Sequence, residues 1–375
     1  MKTICFVLGN YYKYTMGGAE IQAYYIARRL TKDNDVHYVF IENPRLFSNI
    51  TFEKHDNKIT LHVLKRYNHR IFGRGLFLNF FELRKLFNDI NPDLIYQRSG
   101  NAHTGIAASW SKKYGKKMVF GISSDNDCTT KGILDLNKNF LAYPSKILNY
   151  YFSIYGIKKV DQIICQTYHQ KKLLEKNFSI KAMVIPNAHS VPIGPFKKSY
   201  PLIVSWIANI KPLKKLEVFI KLAEKCKDLN VKFVYVGRMI SGSYSKMLIE
   251  KTKKSPDLKY LGEINFQNAN ELLSKSSLFI NTSSTEGFPN TYIQAWMRET
   301  PVITLNCDPD NIIKTQKIGF HSSSFDQMVK DVRFLIENDD ERIKMGNKAR
   351  DYAIKNHDIE NNEKKYIKVF KRLMQ

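Results

Sequence analysis

The sequence predicts an α/β protein built from two successive doubly wound domains, each a parallel sheet covered by helices on both faces. Three observations carry the expectation. Short runs rich in β-branched and aromatic residues alternate with amphipathic stretches of helical period, and this alternation occurs twice along the 375 residues. Between the two passes lies PNAHSVPIGPFKKSYP, residues 186–201, where four prolines and no periodicity mark a linker. Strand, helix, strand repetition calls for right-handed crossovers, which set parallel strands side by side and lay helices on both faces.

In chain order, KTICFVLGN, DVHYVFIEN, KITLHVLKR, PDLIYQRSG, KKMVFGISS and QIICQT have the length and composition of buried strands in the first half. LIVSWIANI, VKFVYVG, LKYLGEI, LFINTSS and PVITLNC repeat the style in the second. Helical patterns such as LEVFIKLAEKCKDL and NANELLSKS lie between them, and after Phe325 the chain reads as helix to its end. The expected division is residues 1–190 and 191–375, two Rossmann-like halves, with C-terminal helices able to cross back to the first.

Composition narrows the function. At 43% hydrophobic residues the chain can bury two cores. A net charge of +24 implies an anionic partner: nucleotide, nucleic acid or lipid headgroup. Nucleic acid is not expected, because no helix-turn-helix, RNP aromatic pattern or zinc finger is visible. No apolar run reaches the roughly 18 residues of a membrane span, and Ile4 to Leu8 is too short for a signal-peptide core, so a cytoplasmic location is expected. Cys5, Cys128, Cys165, Cys226 and Cys307 are scattered without a Cys-x-x-Cys pair and are expected as buried free thiols.

Ligands of open parallel sheets bind beyond the carboxyl ends of the strands, and three loops there carry suggestive chemistry. Met16-Gly17-Gly18-Ala19-Glu20 follows the first strand; its paired glycines let a ligand approach the backbone. Asn209 to Lys215 brings Lys211, Lys214 and Lys215 to a helix entrance, where cations oppose the helix dipole unless an anion sits there too. TEGFPNTYIQAW, from Thr285 to Trp296, sets Glu286 before a helix whose Ile293, Trp296 and Met297 share a face. Proline suits the first helical position, so this helix is expected to begin at Pro289 and to aim the amides of Asn290 and Thr291 at an anion.

The stretch NTSSTEGFPNTYIQAWMRETPVI resembles the signature of the family 4 glycosyltransferases, which have the GT-B fold. MGGAE, the early lysines of the second half, VGR at Val236 to Arg238, LGEI at Leu261 to Ile264 and IPN at Ile185 to Asn187 accompany it in order. The resemblance spans almost the whole chain and implies retaining transfer from a UDP- or GDP-linked sugar, with no cofactor and no metal. It assigns Lys211 and Lys214 to the donor diphosphate and Glu286 to the donor sugar. Glu263 and Ile264 fall to the base, Gly287, Phe288, Pro289, Asn290 and Thr291 to sugar or phosphate, and Gln294 to the ribose. Gly17, Gly18 and Arg238 complete the donor side. The acceptor implied is a growing or lipid-linked glycan held by the first domain.

The departures matter too. Gln294 stands eight residues after Glu286 where the family has a second glutamate, so the ribose keeps only a neutral partner. Where many members carry a histidine near the acceptor, this chain reads GISSDND; Asp125 is the acceptor-side candidate there, joined by Arg98 and His103 after PDLIYQ. A sugar-nucleotide-binding protein without transfer, and a GT-B isomerase acting on the nucleotide sugar alone, are the alternatives. The Asp-x-Asp form at Asp125, Asp33 and Asp308 is also that of a metal-binding motif from a different glycosyltransferase fold, and three hits for so short a pattern carry little. The excess charge is greater in the first half. There LKRYNHRIFGRGLFLNFFELRKLF, 64–87, mixes Lys65, Arg66, Arg70, Arg74, Arg84 and Lys85 with aromatics, which suits either a segment lying in an anionic membrane interface or a core-facing helix with a solvated edge.

Overall fold

The computed structural model describes residues 1–14, 17–41, 54–64, 74–129, 143–240, 242–252 and 257–375. Met16 and the basic residues Lys65, Arg66 and Arg70 of the aromatic segment lie outside them. The chain forms two units, Met1–Asn187 with Glu360–Gln375, and Ala188–Ile359.

The first unit contains β1 (Lys2–Val7), α1 (Gly18–Leu30), β2 (Asn34–Ile41), β3 (Lys54–Asp56), β4 (Ile59–Leu64), α2 (Arg74–Ile90), β5 (Leu94–Arg98), α3 (Ala102–Lys113), β6 (Lys117–Gly121), α4 (Tyr143–Lys159), β7 (Gln162–Cys165), α5 (Tyr168–Phe178) and β8 (Met183–Val184). Its sheet has the order β3-β4-β2-β1-β5-β6-β7-β8. Every pairing is parallel except that of β3 with β4. Apolar side chains alternate to both faces: Cys5, Val7, Val39 and Ile95 pack with Leu83, Phe87, Ile106 and Trp110 of α2 and α3.

The second unit contains β9 (Leu202–Ile207), α6 (Leu216–Lys225), β10 (Val231–Val236), α7 (Gly242–Thr252), β11 (Leu258–Tyr260), α8 (Phe266–Lys275), β12 (Leu278–Asn281), α9 (Asn290–Trp296), β13 (Val302–Thr304), α10 (Ile312–Gln316), β14 (Gly319–His321), α11 (Phe325–Glu337) and α12 (Asp339–His357). Its sheet is wholly parallel in the order β11-β10-β9-β12-β13-β14. One face is filled by Trp206, Phe233 and Tyr235 against Leu216, Phe219 and Leu335 of α6 and α11. The other carries Phe279 and Val302 against α9 and against Ala349 and Ala353 of α12.

The last helix, α13 (Ile359–Met374), belongs to the first unit from Glu360 onward, where its Tyr366 and Phe370 rings meet Tyr96. Of the strands, β3, β8 and β14, of two or three residues each, have no counterpart in the sequence reading. All five cysteines are buried free thiols, and burial pushes the pKa values of Cys5, Cys128, Cys165 and Cys226 up, Cys226 to about 11.

Candidate functional site

In each unit the strand order reverses once. In the second unit β9 runs outward to β10 and β11, and the chain then returns to place β12 on the other side of β9. Loops after β9 and β12 therefore diverge and leave a crevice at their carboxyl ends. Lys214 leaves one lip of it and Glu286 the other.

The loop after β9 first continues the ladder, Ile210 N–H donating to the Arg238 carbonyl at 2.8 Å. It then closes a 3-10 turn at Pro212–Lys214, with Lys211 as N-cap and the Lys214 amide donating to the Lys211 carbonyl at 2.9 Å. Lys215 follows in the left-handed region at φ 48, and α6 begins. The lip after β12 holds this turn at two points. Ser284 N–H donates to the Leu213 carbonyl at 2.9 Å, and Thr282 Oγ1 donates to the Lys214 carbonyl at 2.7 Å while accepting from Trp206 Nε1 at 3.0 Å.

So anchored, the Lys214 ammonium donates to Glu286 Oε1, which also accepts from Ser283 Oγ at 2.7 Å. The two side chains keep 17% and 15% of their surface exposed, so the pair sits in the crevice and still meets solvent. A charge-assisted bond there is worth about 1.5–3 kcal/mol. It is Lys214, and not Lys211 or Lys215, that the fold brings to the acid.

The next loops over add Arg238 after β10 and Glu263 after β11, with Arg238 Nε 3.8 Å from Glu263 Oε1. That separation is too long for a hydrogen bond. Among the described residues Nε has no hydrogen-bond partner, though it is buried. Gly237 lets these loops close: its φ is 154, and a Cβ would fall 1.7 Å from the Ala208 carbonyl oxygen. Its amide donates to the Gly262 carbonyl at 2.9 Å and its carbonyl accepts from Tyr260 Oη at 2.8 Å. Ile264 packs partly buried beside Val234, Val236 and Leu272.

The helix after Glu286 starts one residue later than expected. Pro289 is its N-cap, with ψ 121, and α9 starts at Asn290. It has only seven residues, so the local amides of its first turn matter more than a summed dipole. It is also buried on all sides: Tyr292 and Ala295 are covered as well as Ile293, Trp296 and Met297, because α9 packs between the sheet and α12. Gln294, which the family resemblance assigns to the ribose, is 6% exposed, and its backbone carbonyl accepts from Arg298 at 3.0 Å. Phe288 turns its ring into the core against Trp296 and His357, and Gly287 is half-buried at the lip. Asn290 Oδ1 lies 3.3 Å from Nε2 of His189, whose ring stacks on Phe266. Burial lowers the His189 pKa to about 3 and keeps the imidazole neutral. No feature of the linker sequence singled that residue out.

In the first unit Gly17 is the extended N-cap of α1, and Gly18 begins the helix. A Cβ on Gly17 would lie 2.0 Å from Glu20 Oε2. The room above the glycine is thus taken by the chain's own carboxylate, whose pKa burial raises. Arg98 ends β5 fully enclosed, donating to Asn187 Oδ1 at 2.7 Å and reaching Tyr96 Oη at 3.5 Å. Its cleft-facing reading gives way to one as a core cation among Tyr96, Tyr366 and Asn187. His103 is buried in the first turn of α3, its amide donating to the N-cap Asn101 Oδ1 at 2.8 Å.

Asp125 opens a 3-10 turn after β6 and is half-buried. The capping is done by Ser124 and Asp127, whose carboxylate accepts from Gly100 N, Ser123 N and Oγ, and Ser124 N. Asp125 instead accepts from Gln170 Nε2 at 3.1 Å and lies 3.9 Å from Nε2 of His169, at the start of α5. Gln170 is completely buried and is bound in turn to Gln166. His169 escaped the sequence reading because a histidine after QIICQT has no distinguishing neighbour. Among the described residues no three His, Cys, Asp or Glu groups gather as a metal site would require. Asp308, of another Asp-x-Asp hit, accepts from the amides of Ile313 and Lys314.

Against known proteins, residues 16–190 match the model described as Glycosyltransferase Family 4, and residues 193–352 the model described as Glycosyl transferases group 1. An uncharacterized glycosyltransferase of Haemophilus influenzae is 22% identical over 94% of this chain and 97% of its own. The poly(ribitol-phosphate) alpha-N-acetylglucosaminyltransferase of Staphylococcus aureus is 24% identical over 58% of this chain, and the match spans 45% of its own length. Among solved structures, Anabaena HepE in complex with UDP-glucose superposes with a TM-score of 0.75 over 99% of this chain and 100% of its own, at 13% identity.

Proposed function

We propose that this chain, which belongs to the family 4 glycosyltransferases with the GT-B fold, transfers a sugar with retention from a UDP-linked donor to a glycan or lipid-linked glycan acceptor. The observation that carries the reading is the Lys214–Glu286 pair across the β9/β12 crevice. A leaving diphosphate gains negative charge as the sugar departs, and cations fixed in advance at that place lower the barrier without reorganising. Lys214 supplies one, Lys211 at the turn's entrance a second, and Arg238, with its unpartnered Nε, a third. These side chains provide the neutralising charge without calling on a metal.

Glu286, held by Ser283, accepts from donor-sugar hydroxyls once Lys214 turns to phosphate, while Gly287, Phe288, Pro289, Asn290 and Thr291 present backbone to sugar or phosphate. Glu263 and Ile264 border the base, and Gln294 reaches the ribose from beneath. Asp125 takes the acceptor side with His169 beside it. The HepE complex with UDP-glucose favours uridine over guanosine. Surface-polysaccharide assembly is the setting in which such an acceptor occurs.

A thermal-shift series with UDP, GDP and their sugars, followed by transfer from labelled donors, tests this. UDP at 100 times its Kd adds about 2.7 kcal/mol of stability. Stabilisation by no nucleotide removes the reading. Binding without transfer to any glycan leaves a sugar-nucleotide-binding protein, and turnover without acceptor an isomerase.

A further inference from the structure

We infer that His37 and His62 form a two-imidazole site for an exchangeable divalent transition metal such as zinc, on one face of the first sheet. In the parallel pairing of β2 with β4, His37 stands opposite Thr60 and Val39 opposite His62, so the two histidines are diagonal neighbours on that face. Val39, two residues on, is fully buried in the core beneath α2 and α3. A pair of half-buried imidazoles thus interrupts an otherwise apolar face, and the rings satisfy their nitrogens on each other. They lie nearly parallel, 22° apart with centroids separated by 5.0 Å, and His37 Nδ1 is 2.8 Å from His62 Nε2. The other nitrogen of His37, Nε2, is 3.1 Å from Asp35 Oδ2. An ionised carboxylate only accepts, so Nε2 carries the proton, and in the neutral ring Nδ1 presents a lone pair toward His62.

This is the arrangement of a metal-ligating histidine, with the ligand nitrogen on one side of the ring and an orienting carboxylate on the other. Two nitrogens bound to one zinc at 2.0–2.1 Å lie about 3.0–3.4 Å apart, with their ring centroids about 5 Å apart. The rings need to part by only roughly a few tenths of an ångström. The ion then takes the place of the proton between them, and His62 keeps its own proton on Nδ1. Imidazole suits zinc, copper and nickel, whereas magnesium and calcium take oxygen ligands. A resident structural metal calls for more protein ligands than two. Here water completes the shell, which the 15% exposure of the His37 side chain and the 45% exposure of Asp35 allow. The bound ion ties β2 to β4 and exchanges with solution. The inference concerns the first unit alone and does not rest on the transfer reading.

Calorimetric titration of zinc into the intact chain, stripped beforehand with a chelator, tests this together with thermal unfolding, in wild type and in His37→Gln, His62→Gln and Asp35→Asn. Wild type is expected to bind one zinc ion that raises its unfolding temperature. Each glutamine variant is expected to bind about tenfold more weakly or worse, and Asp35→Asn up to about tenfold more weakly, because it changes the orienting partner and removes no ligand. Electron paramagnetic resonance with one equivalent of copper(II) counts the nitrogens: two imidazoles couple to the metal in wild type and one in a glutamine variant. The count on wild type stands by itself should a variant fail to fold. A wild type that binds no zinc, or that places fewer than two imidazole nitrogens on copper, overturns the inference. Zinc affinity in both glutamine variants equal to wild type also overturns it, assigning the ion to other side chains.

Discussion

At the scale of residues, Lys214 and Glu286 are distinguished by how little freedom they have. Thr282 fixes the Lys214 carbonyl and Ser284 that of the adjacent Leu213, and Ser283 holds the Glu286 carboxylate. Glu286→Gln keeps the shape and removes the charge, so it is expected to lower the transfer rate by roughly 100-fold or more while changing nucleotide affinity only a few-fold. Rate and binding assays on the same variant check this, and a fully active enzyme contradicts it. Lys211→Ala is expected to be milder than Lys214→Ala, because only Lys214 is locked onto the acid. The motif around Glu286 was legible because its residues are contiguous. The choice among three lysines was not, since it depends on a 3-10 turn held from the other lip by Thr282 and Ser284, residues about 70 positions away. Arg98 shows the same limit: burial in a network spanning positions 98, 187 and 366 has no local signature.

At the scale of elements, the strands of both sheets were readable where β-branched and aromatic residues gathered between turn residues, and the helices where their period was clear. For α9 the shared face of Ile293, Trp296 and Met297 was legible and the burial of Tyr292, Gln294 and Ala295 was not, because cover from α12 has no local signature. Two predictions belong here. Lys215 starts α6 from a left-handed conformation that glycine adopts without strain, so Lys215→Gly is expected to leave stability unchanged or raise it by up to about 1 kcal/mol in urea unfolding. A loss beyond about 1 kcal/mol speaks against the turn geometry. His189 titrates near 3 when folded and near 6.5 when unfolded. Between those values the unfolded chain binds the extra proton, so its contribution is full above about pH 6.5 and is lost as pH falls toward 3. His189→Gln is expected to flatten the stability profile between pH 6 and 4, to order of magnitude; an unchanged slope shows that the imidazole is not the group responsible.

At the scale of the molecule, two parallel-sheet domains were readable from alternation alone, and the family from motifs in register along the chain, whereas the order of the strands was not. The return of the last helix to the first unit was less so, because a helical pattern states its period and not its partner. Calorimetric titration of UDP into wild type and Lys214→Ala tests the central claim most directly. Loss of a charge-assisted bond to phosphate predicts affinity about 10- to 100-fold weaker in the variant, with the folded protein otherwise intact. Equal affinity in the two proteins would contradict the assignment of the β9/β12 crevice to the donor diphosphate.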